Sequence, residues 1–151
     1  MPEETTTLDN LLEAAIDRFW EIIPPLWSSI RAHIRSAAVE NYGVSEEQFH
    51  ILRHVRRGFG SVSELADVKR ISRPAISQAV DILVGKGLLT RTQDTQDRRF
   101  VRLELTAEGN ALLDAVIKET RAWMKARLAG LDVLELQNIQ TAMDSLRKMM
   151  D

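Results

Sequence analysis

At 151 residues, 44% hydrophobic and 28% charged, with a net charge of −2, the chain has the composition of one ordinary globular domain large enough to bury a real core. It contains no cysteine, which excludes disulfides, thiolate metal sites and thiol redox sensing. No stretch approaches the run of about 20 apolar residues needed to span a bilayer, and Met1-Pro2-Glu3-Glu4-Thr5 lacks the basic start and apolar core of a secretory signal, so a cytoplasmic location with no membrane partner is expected.

Leu8 to Val39 reads as a long apolar helical region, with Leu8, Leu12, Ile16, Phe19 and Ile23 at three- and four-residue spacing and Leu26, Trp27, Ile30, Ile34 and Ala38 resuming the pattern. Pro24-Pro25 lies between the two runs. Neither proline can donate a helical hydrogen bond, so a kink or a break into two helices is predicted there. Asn41-Tyr42-Gly43 marks a turn.

Ser45-Glu46-Glu47-Gln48 is a capping-box pattern opening a helix with Phe49, Leu52 and Val55 inward, ended by Gly58 and Gly60. Ser61-Val62-Ser63-Glu64 is a second such box. Lys69-Arg70-Ile71 forms a turn, and Ser72 is expected to cap the next helix, with Pro74 tolerated in its first turn. On that helix Ile76, Ala79, Val80, Leu83 and Val84 form an apolar face, and Pro74, Ser77, Gln78 and Asp81 lie opposite. It stops at Gly85-Lys86-Gly87.

Two strands follow, Leu88 to Thr92 and Phe100 to Leu105; in the second, Val101, Leu103 and Leu105 alternate with polar neighbours. The polar loop between them carries Asp97, Arg98 and Arg99. Thr106-Ala107-Glu108-Gly109 starts a long helix with Leu112, Leu113, Val116, Ile117, Trp123, Met124 and Leu128 as a broad stripe. Gly130 breaks it, and Asp132-Val133-Leu134-Glu135 opens a last helix. There Leu136, Ile139, Met143, Leu146 and Met150 have the spacing of a helix–helix seam.

The expected fold is therefore mainly α with a small β-hairpin wing: a winged helix-turn-helix with N- and C-terminal dimerisation helices. Residues 1–44 and 106–151 form the helical dimerisation region and residues 45–105 the winged-helix region, intertwined as one domain. Charge follows the same division. Ser45 to Leu105 holds eleven Lys/Arg against eight Asp/Glu, whereas the remainder holds nine against fourteen. A basic centre between acidic ends places any nucleic-acid contact in the middle.

The chain resembles the multiple-antibiotic-resistance regulator (MarR) family of bacterial winged-helix transcription factors. The resemblance covers nearly the whole chain in element order. Its specific pieces are Ser63-Glu64-Leu65-Ala66, Ser72 through Gly87-Leu88-Leu89, and Asp97-Arg98-Arg99 followed by Leu103-Glu104-Leu105-Thr106-Ala107-Glu108-Gly109. It implies a homodimer in which the N-terminal helix and the last two helices of each chain interlock. It also implies a ligand-responsive repressor of transcription that binds double-stranded DNA at a palindromic operator. In such an arrangement the helix at 72–86 enters successive major grooves, with half-sites roughly 34–36 Å apart, and the wing at 93–99 reaches a flanking minor groove.

The DNA-binding residues this implies are Ser72, Arg73, Pro74, Ser77, Gln78, Asp97, Arg98 and Arg99. Arg99 is the first candidate groove reader and Arg98 the second, with Asp97 placed to orient Arg99. Ser72, Arg73 and the helix N-terminus are assigned to phosphates. At the position of Gln78 the family often has arginine. Glutamine pairs with adenine N6/N7 where arginine favours guanine, so an adenine preference is expected. Trp20, Trp27, Arg31 and His33 are candidates for an effector pocket of the kind in which the family places phenolic or carboxylate ligands; packing in the dimer core is the competing role for each Trp.

His50 and His54, with Glu46, share one helix face at four-residue spacing. A pair without further ligands is weak evidence for zinc, and no metal or cofactor is assigned. There is no phosphate-binding Gly-rich loop, no Gly-x-Ser-x-Gly and no His/carboxylate set with a nucleophile, so the chain is not expected to be an enzyme. The alternative is a winged-helix dimer acting as a protein-interaction module. Such a module has no use for the combination of Arg73, Gln78, Arg98 and Arg99.

Overall fold

The computed structural model describes residues 2–93 and 101–150, the side chains of residues 2–6 aside. The elements are α1 (Pro2–Tyr42), α2 (Glu46–Arg56), α3 (Val62–Lys69), α4 (Arg73–Gly85), β1 (Leu89–Gln93), β2 (Val101–Leu105), α5 (Ala107–Leu128) and α6 (Val133–Arg147). The two strands pair antiparallel from Leu89 opposite Leu105 to Gln93 opposite Val101. Mainly helical with one hairpin, the fold is the winged helix-turn-helix expected from the pattern.

The predicted break at the prolines does not occur: α1 is a single helix through Pro24 and Pro25. The carbonyls of Trp20 and Glu21 lose their helical donors there. Both residues are exposed in this chain, so water can satisfy those carbonyls. The apolar stripes on the two sides of the prolines therefore stay on one continuous helix.

The capping signals correspond to real hydrogen bonds in most cases. Ser45 Oγ accepts from Gln48 N, and Gln48 Oε1 accepts from Ser45 N. Asp132 and Glu135 make the same reciprocal pair at the start of α6. At α3 Ser61 Oγ accepts from Glu64 N while donating to the Glu64 carboxylate. Ser72 differs from expectation. It occupies the N-cap position of α4 with extended backbone, but its side chain makes no capping hydrogen bond.

The core lies where α2, α4 and α5 meet the root of the hairpin. Phe49, Ile51 and Leu52 of α2, Leu65 of α3, Ile76, Val80 and Leu83 of α4, Leu89 of β1 and Leu113 and Val116 of α5 are essentially inaccessible. Each such side chain stabilises the fold by about 1.5–3 kcal/mol relative to exposure. Two ties fix the edges: Arg56 Nη1 meets Asp114 Oδ1 at 2.7 Å between α2 and α5, and Lys86 Nζ donates to Gly43 O between the ends of α4 and α1.

The first strand begins one residue later than predicted, because Leu88 N still bonds Leu83 O as the chain leaves α4. In β2 the expected alternation is partial. Leu103 is buried, Leu105 half-buried, and Val101 is 43% exposed. The far end of the hairpin projects past the core, so only residues near its root are covered. Phe100, assigned to this strand from the sequence, lies outside the described residues.

Candidate nucleic-acid interface

Two opposed faces position α4. Ile76, Val80 and Leu83 anchor it in the core, and Pro74, Ala75, Gln78, Asp81 and Ile82 are exposed on the other side, with Ser77 half-buried at the boundary. The first turn contains no acidic residue and no side-chain cap. Its N–H groups therefore present the positive end of the helix without a neutralising carboxylate. Arg73 is exposed at this end.

The hairpin flanks it. An open cleft of about 610 Å³ is lined by Ser61 and Ser63 from the start of α3, Arg73 and Ser77 from α4, and Arg91 and Val101 from the two strands. The structure thus brings Arg73, Pro74 and Ser77 together on one cleft, with Ser72 at the N-cap position just before the same turn and Gln78 on the adjoining outward face. Asp97, Arg98 and Arg99 lie outside the described residues.

Arg91 did not stand out in the sequence, where a single arginine in a short strand carries no signal. In the fold its Nη1 lies 2.5 Å from Asp81 Oδ1, tying the hairpin to α4. Arg70 reads in the sequence only as part of the Lys69-Arg70-Ile71 turn. It closes α3 in the left-handed region at φ 53°, where glycine is the usual residue, so the turn into α4 carries a strained arginine.

The four effector candidates do not share one concavity. Trp27 and Arg31 line an open groove of about 440 Å³ on α1 with Pro24 and Arg35. Trp20 is 69% exposed and lies outside this groove. The ring of His33 lies against Trp123 of α5 instead. Arg31 Nε is 2.8 Å from Glu46 Oε1, and Arg35 reaches the other carboxylate oxygen at 3.7 Å. The hydrogen bond from Arg31 holds the Glu46 carboxyl below its ordinary range, against the opposing effect of burial. These contacts link the long helix to the first helix of the winged-helix unit.

His50 lies 3.7 Å from Glu46, and burial, reinforced by Lys69 and Arg53, pushes its pKa down. His54 is also lowered, first by burial and then by Lys69, Arg57 and Arg53, and its Nδ1 is buried without a hydrogen-bond partner in the described chain. Among the described residues no group of three or more His, Asp or Glu side chains could hold a metal ion. No helix is long and apolar enough to cross a membrane, again among the described residues.

Comparison with known proteins agrees with this geometry. The MarR family model matches residues 44–101, the stretch from the start of α2 into β2. The chain is similar to the HTH-type transcriptional repressor MdtR of Bacillus subtilis, 32% identical over 100 residues that make up 66% of this chain and 64% of MdtR. The match therefore spans a little under two thirds of that relative. Among solved structures it is similar to YusO of Bacillus subtilis (25% identity, TM-score 0.72, covering 90% of this chain and 96% of YusO). It also shares its fold with a MarR family protein of Bacillus stearothermophilus (19% identity, TM-score 0.78, covering 91% and 96%). With the helix-turn-helix, the hairpin and the flanking helices in the same order and arrangement, the chain is similar to the MarR family of winged-helix regulators, in sequence from α2 into β2 and in fold over most of its length.

Proposed function

We propose that this chain is a dimeric, sequence-specific DNA-binding regulator of transcription, acting as a ligand-responsive repressor at a palindromic operator. The observation that carries this is the first turn of α4. It is uncapped and free of carboxylates, with Arg73 exposed beside Arg91 in one cleft and Gln78 facing outward. A helix end of this kind suits phosphate, and the side chains that follow it suit base edges in a major groove. Arg98 and Arg99 are assigned to the flanking minor groove.

A second copy accounts for what the single chain leaves uncovered. Leu8, Leu12, Ile16, Trp20 and Trp27 of α1 and Val133, Leu134, Ile139 and Met143 of α6 are all exposed, and α6 has no buried residue. So many exposed large apolar side chains suit burial against a second copy, and a symmetric pairing is the common solution. Repression is favoured by the similarity to a named repressor. The groove holding Trp27 and Arg31 suits a small aromatic carboxylate, which would compete with Glu46 for Arg31 and so act on the α1–α2 link.

A gel shift on the chain's own upstream promoter region, at stated salt, tests the proposal. A specific complex that weakens steeply with salt is expected. No such complex would favour the alternative, a winged-helix dimer acting as a protein-interaction module.

A further inference from the structure

Between Arg73 and Lys86 the reading helix carries a single charged side chain, Asp81. It lies one turn on from Ser77 and Gln78, with its side chain 59% exposed, while Ile76, Val80 and Leu83 hold the opposite face in the core. An unpaired carboxylate there would meet the phosphates of any duplex bound by α4. Asp81 is paired with Arg91, which reaches it from β1 at 2.5 Å. An ion pair this exposed contributes little to folding. Its larger consequence is to fix where the carboxylate points.

On a reading helix a free aspartate accepts from cytosine N4, a glutamine pairs with adenine, and apolar side chains contact the thymine methyl. The exposed face of α4 carries all three types: Asp81, Gln78, and the apolar Ala75 and Ile82. Among the described residues, Asp81 alone of these is paired with a side chain on the hairpin.

We infer that Arg91 is a positioning residue for specificity, holding the Asp81 carboxylate away from the bases. The helix then reads A·T pairs through Gln78, Ala75 and Ile82 and ignores cytosine at the step facing Asp81. This rests on the DNA-reading proposal and adds to it the class of operator: a half-site core specified by A·T pairs. It also explains a feature otherwise at odds with DNA binding, the lone negative charge on the reading face.

Selection of bound sequences from random duplex DNA tests it, using the full-length wild type, Arg91→Met, Arg91→Lys and the double variant Asp81→Asn/Arg91→Met. The wild type is expected to recover half-sites without a cytosine preference facing Asp81. Arg91→Met should bind all sequences more weakly and acquire about a fivefold preference for C·G at one position per half-site. The double variant should lose that new preference, and Arg91→Lys should restore the wild-type pattern. A merely structural role for Arg91 would lower affinity without creating a preference that depends on Asp81.

An unchanged preference in Arg91→Met overturns the inference. So does a wild type that already prefers cytosine there and loses it in Asp81→Asn. Should Arg91→Met fail to fold, Asp81→Asn alone decides: it must leave the wild-type base preference intact. A wild type that selects no sequence overturns the DNA-reading proposal and this inference with it, whereas a selective wild type with an unresponsive Arg91→Met overturns this inference alone.

Discussion

His33 and Trp123 lie face to face, their ring centroids 4.7 Å apart and their planes 10° from parallel. The guanidinium carbon of Arg127 sits 4.5 Å from the same indole centroid. One ring of α5 therefore receives an imidazole from α1 and a cation from its own helix, and this is where the long helix is held against the body of the chain. Stacked and cation–π contacts each contribute about 0.5–1.5 kcal/mol beyond area burial. Trp123→Ala should lower stability by about 2 kcal/mol, and Trp123→Phe by about half as much because a stacking ring remains. Urea unfolding at one fixed protein concentration checks this, since dimerisation would make the midpoint concentration-dependent.

Gly109 gives a prediction whose sign differs from the usual one. In an open helical position Gly→Ala stabilises by roughly 1 kcal/mol. Here a Cβ would collide with the backbone carbonyl of Leu88 and press on the Leu105 side chain. The same carbonyl accepts from Thr106 N, and Thr106 Oγ1 bonds both Gly87 O and Gly109 N. The start of α5 is thus laid directly on the chain leaving α4. Gly109→Ala should destabilise by about 2 kcal/mol or more, as overpacking against backbone does, with a drop in melting temperature as the readout.

That contact marks the boundary of what was legible in the sequence. Thr106-Ala107-Glu108-Gly109 announced a helix start, because the capping Thr106 and the backbone N–H it accepts from lie within four residues. Why the fourth residue is glycine depends on Leu88, 21 residues earlier in the chain, and local pattern does not encode such an approach. The same division holds at the candidate interface. Helix order, the caps at Ser45, Ser61 and Asp132 and the outward face of α4 followed from periodicity. The Asp81–Arg91 pair, the strained Arg70 and the separation of His33 from Trp27 depend on how elements meet. Pro24-Pro25 does not break α1 for a related reason: the local cost of proline is real, but an exposed helix can leave the freed carbonyls to water.

A pH dependence follows from His50 and His54. Burial lowers both, and Lys69 and Arg53 act in the same direction on each; Arg57 adds to this at His54, while at His50 Glu46 opposes it and Arg31 supports it. Both folded-state pKa values thus lie below the unfolded value of about 6.5, so the unfolded chain binds more protons as the pH falls. Their contribution to stability is present above about pH 6.5 and is lost as the pH drops through that value toward the lowered ones. Thermal melts at pH 7.5 and 5.5 should show the loss. His50→Gln/His54→Gln should reduce the difference, while Glu46, whose carboxyl is lowered, affects only the more acidic range.

The unpartnered apolar surfaces supply the last prediction. Leu12 and Ile16 on α1 and Ile139 and Met143 on α6 are each between about a third and a half exposed in the single chain. None is in the buried core that holds the winged helix together. Ile139→Glu and Leu12→Glu should therefore leave the helical content and the core of α2–α5 intact while placing a carboxylate in the proposed dimer seam, where burying an unpaired charge would cost several kcal/mol. Sedimentation equilibrium should report a monomer for the double variant and a dimer for the wild type. If the proposed palindromic operator holds, two reading helices engage half-sites about one helical turn apart, and the monomer should also lose operator affinity by far more than its unchanged α4 would suggest. A variant that remains dimeric would place the dimer contact elsewhere on the chain, and a monomeric variant with full operator affinity would remove the need for paired reading heads.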